Sequence, residues 1–158
     1  VIGGAAGALP PIVGYAAATG QVSLAALVLF ALIFVWTPPH FWALALVRSA
    51  EYGRAGIPMM PNVKGADHTR LEILIYSLVL AVVGVMPFVL GFASVFYGCL
   101  SAVLGVAFVA FALRVYRVRS GEAANKCAMR LFGFSILYLF LLFAGLLGER
   151  IVALATGS

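Results

Sequence analysis

The sequence predicts an all-α, polytopic transmembrane helical bundle, and three observations carry that prediction. Hydrophobic residues make up 65% of the 158 and charged residues 9%, with a mean hydropathy of +1.15, outside the range of water-soluble globules. The apolar residues form long continuous runs rather than the alternating segments of a barrel, which favours helices that satisfy their own backbone in lipid. Most of the charges are set apart from those runs, in two polar stretches, with Glu149 and Arg150 beyond the last run. Disorder, a collagen-like chain and a disulfide scaffold are excluded by the same figures, since there are only two cysteines. The chain starts at Val1 inside an apolar stretch with no basic leader or small-residue cleavage site, so it is expected to be the rear part of a longer protein.

A helix needs about 20 apolar residues to cross the hydrocarbon core. Five segments fit that length: residues 2–18, 24–47, 71–92, 95–113 and 131–148. The first is interrupted by Pro10 and Pro11 and is rich in glycine, with Gly3 and Gly7 at the spacing that lets helices approach closely. Thr19-Gly20-Gln21, a long stretch from Arg48 to Arg70, a turn near Ala93-Ser94 and a basic stretch from Arg114 to Arg130 separate the five. The positive charges of 48–70 and 114–130 lie two crossings apart and so on one side, predicted cytoplasmic by the positive-inside rule. Residues 1–158 thus read as part of one transmembrane domain. The net charge of +5 then reflects topology and membrane headgroups rather than nucleic acid. Cys99 and Cys127 fall near opposite faces, too far apart to pair.

Polar residues inside or beside these spans carry any chemistry. Trp36-Thr37-Pro38-Pro39-His40-Phe41-Trp42 lies within the second span, where two prolines remove backbone donors that lipid cannot replace. His40 at that depth is either hydrogen-bonded to another helix or turned towards a ligand. The stretch 48–70 is longer than an ordinary connection, and Ile57, Met59, Met60 and Val63 between its prolines predict a segment folded back as a cap. Arg54, Lys64 and Arg70 are suited to phosphate oxygens and Glu51 to a bridging Mg²⁺. On charge alone, topology plus a Glu51–Arg54 pair at i,i+3 accounts for the same residues and is the stronger reading. Glycine patterns of dinucleotide or P-loop sites, paired-cysteine metal sites and a serine elbow are absent from the sequence.

Gly3-Gly4-Ala5-Ala6-Gly7-Ala8 with Pro10-Pro11 and Gly14, the run Trp36-Thr37-Pro38-Pro39-His40-Phe41-Trp42-Ala43-Leu44-Ala45-Leu46, and Tyr52 followed by Arg54-Ala55-Gly56-Ile57-Pro58-Met59-Met60-Pro61 are similar to the protoheme IX farnesyltransferases, or heme O synthases, a branch of the UbiA-type intramembrane prenyltransferases. The resemblance is concentrated in residues 1–72. It implies nine transmembrane helices around a central cavity, of which this chain supplies the last five. It also implies transfer of farnesyl from farnesyl diphosphate to a vinyl group of heme B, giving heme O, the precursor of heme A for terminal oxidases. In that family two acidic motifs on cytoplasmic loops bind the diphosphate through Mg²⁺, and the first lies upstream of Val1.

Glu51 falls where the second motif lies, although it replaces the more usual aspartate and Ala50 stands where a second acid is common. The resemblance assigns Glu51 to Mg²⁺ and diphosphate, Arg54 and Lys64 to diphosphate or heme propionates, and Arg70 more weakly to the same anions. Tyr52 is placed at the cavity mouth and His40 against the heme, as an iron ligand or a polar contact. The expected setting is a bilayer, the bacterial inner membrane or alternatively the mitochondrial one, with heme A synthase or oxidase assembly proteins as partners. Two alternatives are a superfamily member that prenylates an aromatic acid or quinone precursor, and half of a secondary transporter with a broken helix at Pro38-Pro39.

Overall fold

A computed structural model describes residues 2–156, of which Ile2 and Gly3 are described in backbone only. Eight helices follow one another: α1 (Ile2–Ala8), α2 (Pro10–Thr19), α3 (Leu24–Val47), α4 (Ser49–Arg54), α5 (Met60–Lys64), α6 (Ala66–Val89), α7 (Val95–Arg117) and α8 (Gly121–Thr156). Four of them, α3, α6, α7 and α8, are long and apolar enough to cross a membrane. The expected bundle is therefore present. Its first span is not one helix, however, because Pro10 and Pro11 lack the N–H groups that would continue α1 and instead occupy the opening positions of α2. With 7 and 10 residues, these two pieces rise only about 10 and 15 Å each. Both pack on α3.

The four long helices form a closed ring in which α3 meets α6, α6 meets α7, α7 meets α8 and α8 returns to α3. Buried tyrosines hold its interior. The Tyr97 hydroxyl donates to the Gly84 carbonyl at 3.1 Å, and that of Tyr138 reaches the Leu80 carbonyl at 3.5 Å. Phe108 meets Tyr138 edge-on with centroids 5.1 Å apart. Gly84 is required by this packing, since a Cβ there would stand 2.5 Å from the Tyr138 hydroxyl. In α1 the close approach is made by Gly4, whose Cβ would lie 3.4 Å from Thr37, whereas a Cβ on Gly7 would meet nothing within 4 Å among the described residues. The surroundings of Gly3 lie outside those residues.

The polar stretches are shorter than the sequence predicts. Residues 66–70 already belong to α6, and 114–130 reduce to Val118, Arg119 and Ser120 between α7 and α8. A helix leaves the hydrocarbon without stopping, so apolar length marks the membrane and not the helix end. α8, with 36 residues, is about 54 Å long and overshoots the core. The cap expected in 48–70 is there: α5 packs against α6 and α3, and Asn62 Nδ2 donates to the Ser49 carbonyl at 3.0 Å, tying α5 to α4. Cys99 and Cys127 are free thiols on the second turns of different helices, α7 and α8.

Helix direction puts Arg48, Arg54, Lys64, Arg70, Arg114, Arg117, Arg119, Lys126 and Arg130 at one end of the ring, leaving Arg150 at the other. Arg114 and Arg117 in the last turn of α7 also complement its dipole. At the opposite end the Glu149 carboxylate of α8 caps the start of α7. It accepts from the Ser94 hydroxyl, from the Ser94 backbone N–H at 3.0 Å and from that of Tyr97 at 3.1 Å.

Candidate active site

α3 runs through Pro38 and Pro39 as one 24-residue helix. The prolines leave the carbonyls of Phe34 and Val35 without their usual donors four residues on. One residue earlier the Thr37 hydroxyl donates to the Ile33 carbonyl at 2.7 Å. Here α3 presents an aromatic cage towards α8. The His40 ring is stacked on one side by Trp36, with centroids 4.2 Å apart and planes 19° apart, and by Phe132 of α8 at 4.6 Å and 21°. Phe41 meets it edge-on at 5.4 Å. His40 Nδ1 lies 2.6 Å from the Ser135 hydroxyl, which also contacts the Phe132 carbonyl at 2.6 Å, and the Trp36 indole N–H donates to the Ser135 carbonyl at 2.8 Å. His40 is thus held by another helix of the bundle.

About 10 Å along the axis from His40, seven residues on, α3 ends at the charged face. α4 carries Glu51, Tyr52 and Arg54, and α5 carries Lys64. Glu51, Arg54 and Lys64 are exposed and Tyr52 is half-buried. The expected Glu51–Arg54 pair is not formed. Glu51 instead sits 3.6 Å from Arg48, both side chains being more than half exposed, because the same i,i+3 spacing on its other side offers an equally near cation. Arg54 Nε donates to the Ala50 carbonyl at 3.4 Å. Arg70 differs from the other two cations: its side chain is 11% exposed and bonded to Asp67 at 2.8 Å, so its charge is largely matched. Beside it, His68 Nε2 is 3.4 Å from Glu72.

The structure therefore brings Glu51, Tyr52, Arg54 and Lys64 to one folded-back cap and sets His40 two to three turns deeper, in the cage. Glu51 offers a hard oxygen donor of the type Mg²⁺ takes, together with water and phosphate oxygens. No cluster of three or more His, Cys, Asp or Glu side chains that could hold a metal forms among the described residues, so the fit is that of one carboxylate contributed to a site. Sequence reasoning missed Arg48, Phe132 and Ser135. Ser135 was visible as the one serine in the run Leu131–Leu142, but its partner is 95 residues away.

A polytopic bundle of four long apolar helices with most of its positive charge at one end defines an integral membrane protein. Residues 1–136 match the UbiA prenyltransferase family, and the chain belongs to that family. It is 65% identical over 154 residues to the protoheme IX farnesyltransferase of Methylocella silvestris, covering 98% of this chain and 49% of that protein. It is 67% identical to that of Beijerinckia indica (96% and 47%) and 55% identical to protoheme IX farnesyltransferase 2 of Mesorhizobium japonicum (100% and 51%). The chain thus spans about half the length of the curated relatives it matches. No solved structure matches it. The transporter alternative gives way to the prenyltransferase family.

Proposed function

We propose that the protein to which this chain belongs transfers a farnesyl group from farnesyl diphosphate to a vinyl group of heme B, producing heme O. The observation that carries this reading is identity of 55–67% over 95–100% of the chain to proteins named protoheme IX farnesyltransferase. In the reaction the allylic C–O bond breaks and its electron pair leaves with the diphosphate. The vinyl π pair then forms the new C–C bond, and water captures the resulting cation with loss of a proton.

The residues divide the work by depth. Arg54 and Lys64, exposed and without a carboxylate partner among the described residues, stabilise charge that grows on the leaving diphosphate, which is where a cation lowers the barrier most. Glu51 would hold Mg²⁺ together with the acidic motif expected upstream, and the ion would supply further neutralisation of the diphosphate. Arg70, already matched by Asp67, adds less. Tyr52 lines the mouth of the cavity, and His40 meets the porphyrin, its iron or a polar edge. The charged face is cytoplasmic, the membrane is the bacterial inner membrane, and heme A synthase or oxidase assembly factors receive the product.

The test is mass spectrometry of hemes after membranes containing the full-length protein are incubated with heme B, farnesyl diphosphate and Mg²⁺. A farnesylated, hydroxylated heme that disappears with chelator is expected. Unaltered heme beside active controls, with prenylation of an aromatic acid, would move the protein to another branch of the family.

A further inference from the structure

Ser135 is completely buried in α8 and has no assigned part in the reaction, yet two of the groups around His40 end on it. Its main-chain carbonyl accepts the Trp36 indole N–H at 2.8 Å, and its hydroxyl stands 2.6 Å from both His40 Nδ1 and the Phe132 carbonyl. Proton counting decides the arrangement. A serine hydroxyl has one hydrogen, and a carbonyl oxygen has none. The short contact to Phe132 requires the Ser135 hydrogen, so the bond to His40 must take its hydrogen from the imidazole. Nδ1 is then protonated, and a neutral ring carries its lone pair on Nε2.

The cage strengthens that consequence. Trp36 and Phe132 cover the two faces of the imidazole, so a ligand can reach it only at its edge. Among the described residues Nε2 has no hydrogen-bond partner, and it is not among the buried unpartnered atoms, which number only His68 Nε2. The ring is therefore clamped on both faces, bonded at one nitrogen and open at the other. A histidine that donates its second N–H to an outer partner is fixed in tautomer and orientation and made a better electron-pair donor.

We propose that Ser135 is a positioning residue that holds His40 in the Nδ1–H tautomer and so presents Nε2 as a fixed electron-pair donor to the iron of the heme substrate. The second half of this statement rests on the heme reading of the proposed function; the first half does not.

The full-length protein, labelled with ¹⁵N-histidine and free of heme, provides the first measurement. The imidazole nitrogen shifts of His40, assigned by their loss in His40→Ala, should report the Nδ1–H tautomer in the wild type. Ser135→Ala should give a mixture, and Ser135→Thr, which keeps the hydroxyl, should restore the wild-type pattern. An Nε2–H tautomer in the wild type, which needs no variant to observe, overturns the lock, as does an unchanged tautomer in Ser135→Ala. The second measurement is a ferric heme titration followed by its absorption spectrum. Ser135→Ala should bind about 10-fold more weakly, as second-partner losses at metal-binding histidines do, with Ser135→Thr close to wild type and the His-ligated spectrum lost in His40→Ala. If the tautomer responds as expected but both alanine variants bind heme with wild-type spectrum and affinity, the link to iron is overturned. The farnesyl-transfer assay on the wild type stands apart from either result.

Discussion

The cage around His40 and the cap of α4 and α5 are built on opposite principles. In the cage every side-chain polar atom of Trp36, His40 and Ser135 except His40 Nε2 is bonded within the protein, and two aromatic planes hold the imidazole in place. On the cap the charged groups are exposed, and Glu51 has only a long contact to Arg48. An interior site has to be preorganised by the fold, because lipid and packed side chains leave no solvent to satisfy loose groups. A site at the membrane face can stay hydrated and be organised by its anionic ligand. The difference implies that changes to the cap act on turnover, whereas changes to the cage act on recognition of the acceptor.

The largest effect is expected at the cap. Glu51→Gln in the full-length protein keeps the size of the side chain and removes its charge, so turnover should fall by about 10²-fold, the scale of losing one stabilising group in a transition state. Heme binding should not change. Rates measured at limiting Mg²⁺ check this, and a variant as active as wild type would remove Glu51 from the diphosphate site.

His40→Ala comes next and breaks the comparison from the other side. It removes the stacked ring between Trp36 and Phe132, so heme affinity should drop by about 10-fold or more, with KM for heme rising and KM for farnesyl diphosphate unaltered. Equal shifts in both would mean that cage and cap form one site and not two.

What the sequence disclosed follows the same division. The span predicted at 24–47 is α3 itself, because a long, mainly apolar run without charges, bounded by Ser23 and Arg48, is a local signal. The cap residues were legible too, since Glu51, Arg54 and Lys64 lie close together along the chain. What escaped was long-range or degenerate. Ser135 meets His40 across 95 positions, a pairing that no spacing rule encodes. Glu51 has an arginine three residues away on both sides, so spacing alone could not choose between Arg48 and Arg54. The continuity of the first span failed for a different reason: prolines suited to the start of a helix were counted within a longer one.

A smaller effect, on stability alone, is expected far from both regions. Glu149→Ala removes the acceptor shared by Ser94 and Tyr97 at the start of α7. Loss of an N-terminal cap costs about 1 kcal/mol, so the thermal midpoint in detergent should fall while the heme spectrum and the Mg²⁺ dependence of the rate stay as in wild type. A change in either functional readout would show that the far end is coupled to the site.

Arg48→Ala should have the smallest effect and is the finest test of the contrast between the two regions. Exposed ion pairs contribute roughly 0–1 kcal/mol, and at 3.6 Å with both partners more than half exposed this one belongs near the bottom of that range. Stability should therefore hardly move. The Glu51 carboxylate, however, loses its nearest cation, which competes with a metal ion for the same oxygens. The concentration of Mg²⁺ giving half-maximal rate should fall slightly, by less than about 3-fold, the equivalent of less than ~0.7 kcal/mol. A rise instead would mean that Arg48 acts on the diphosphate directly and that the cap is organised before its ligand arrives, as the cage is.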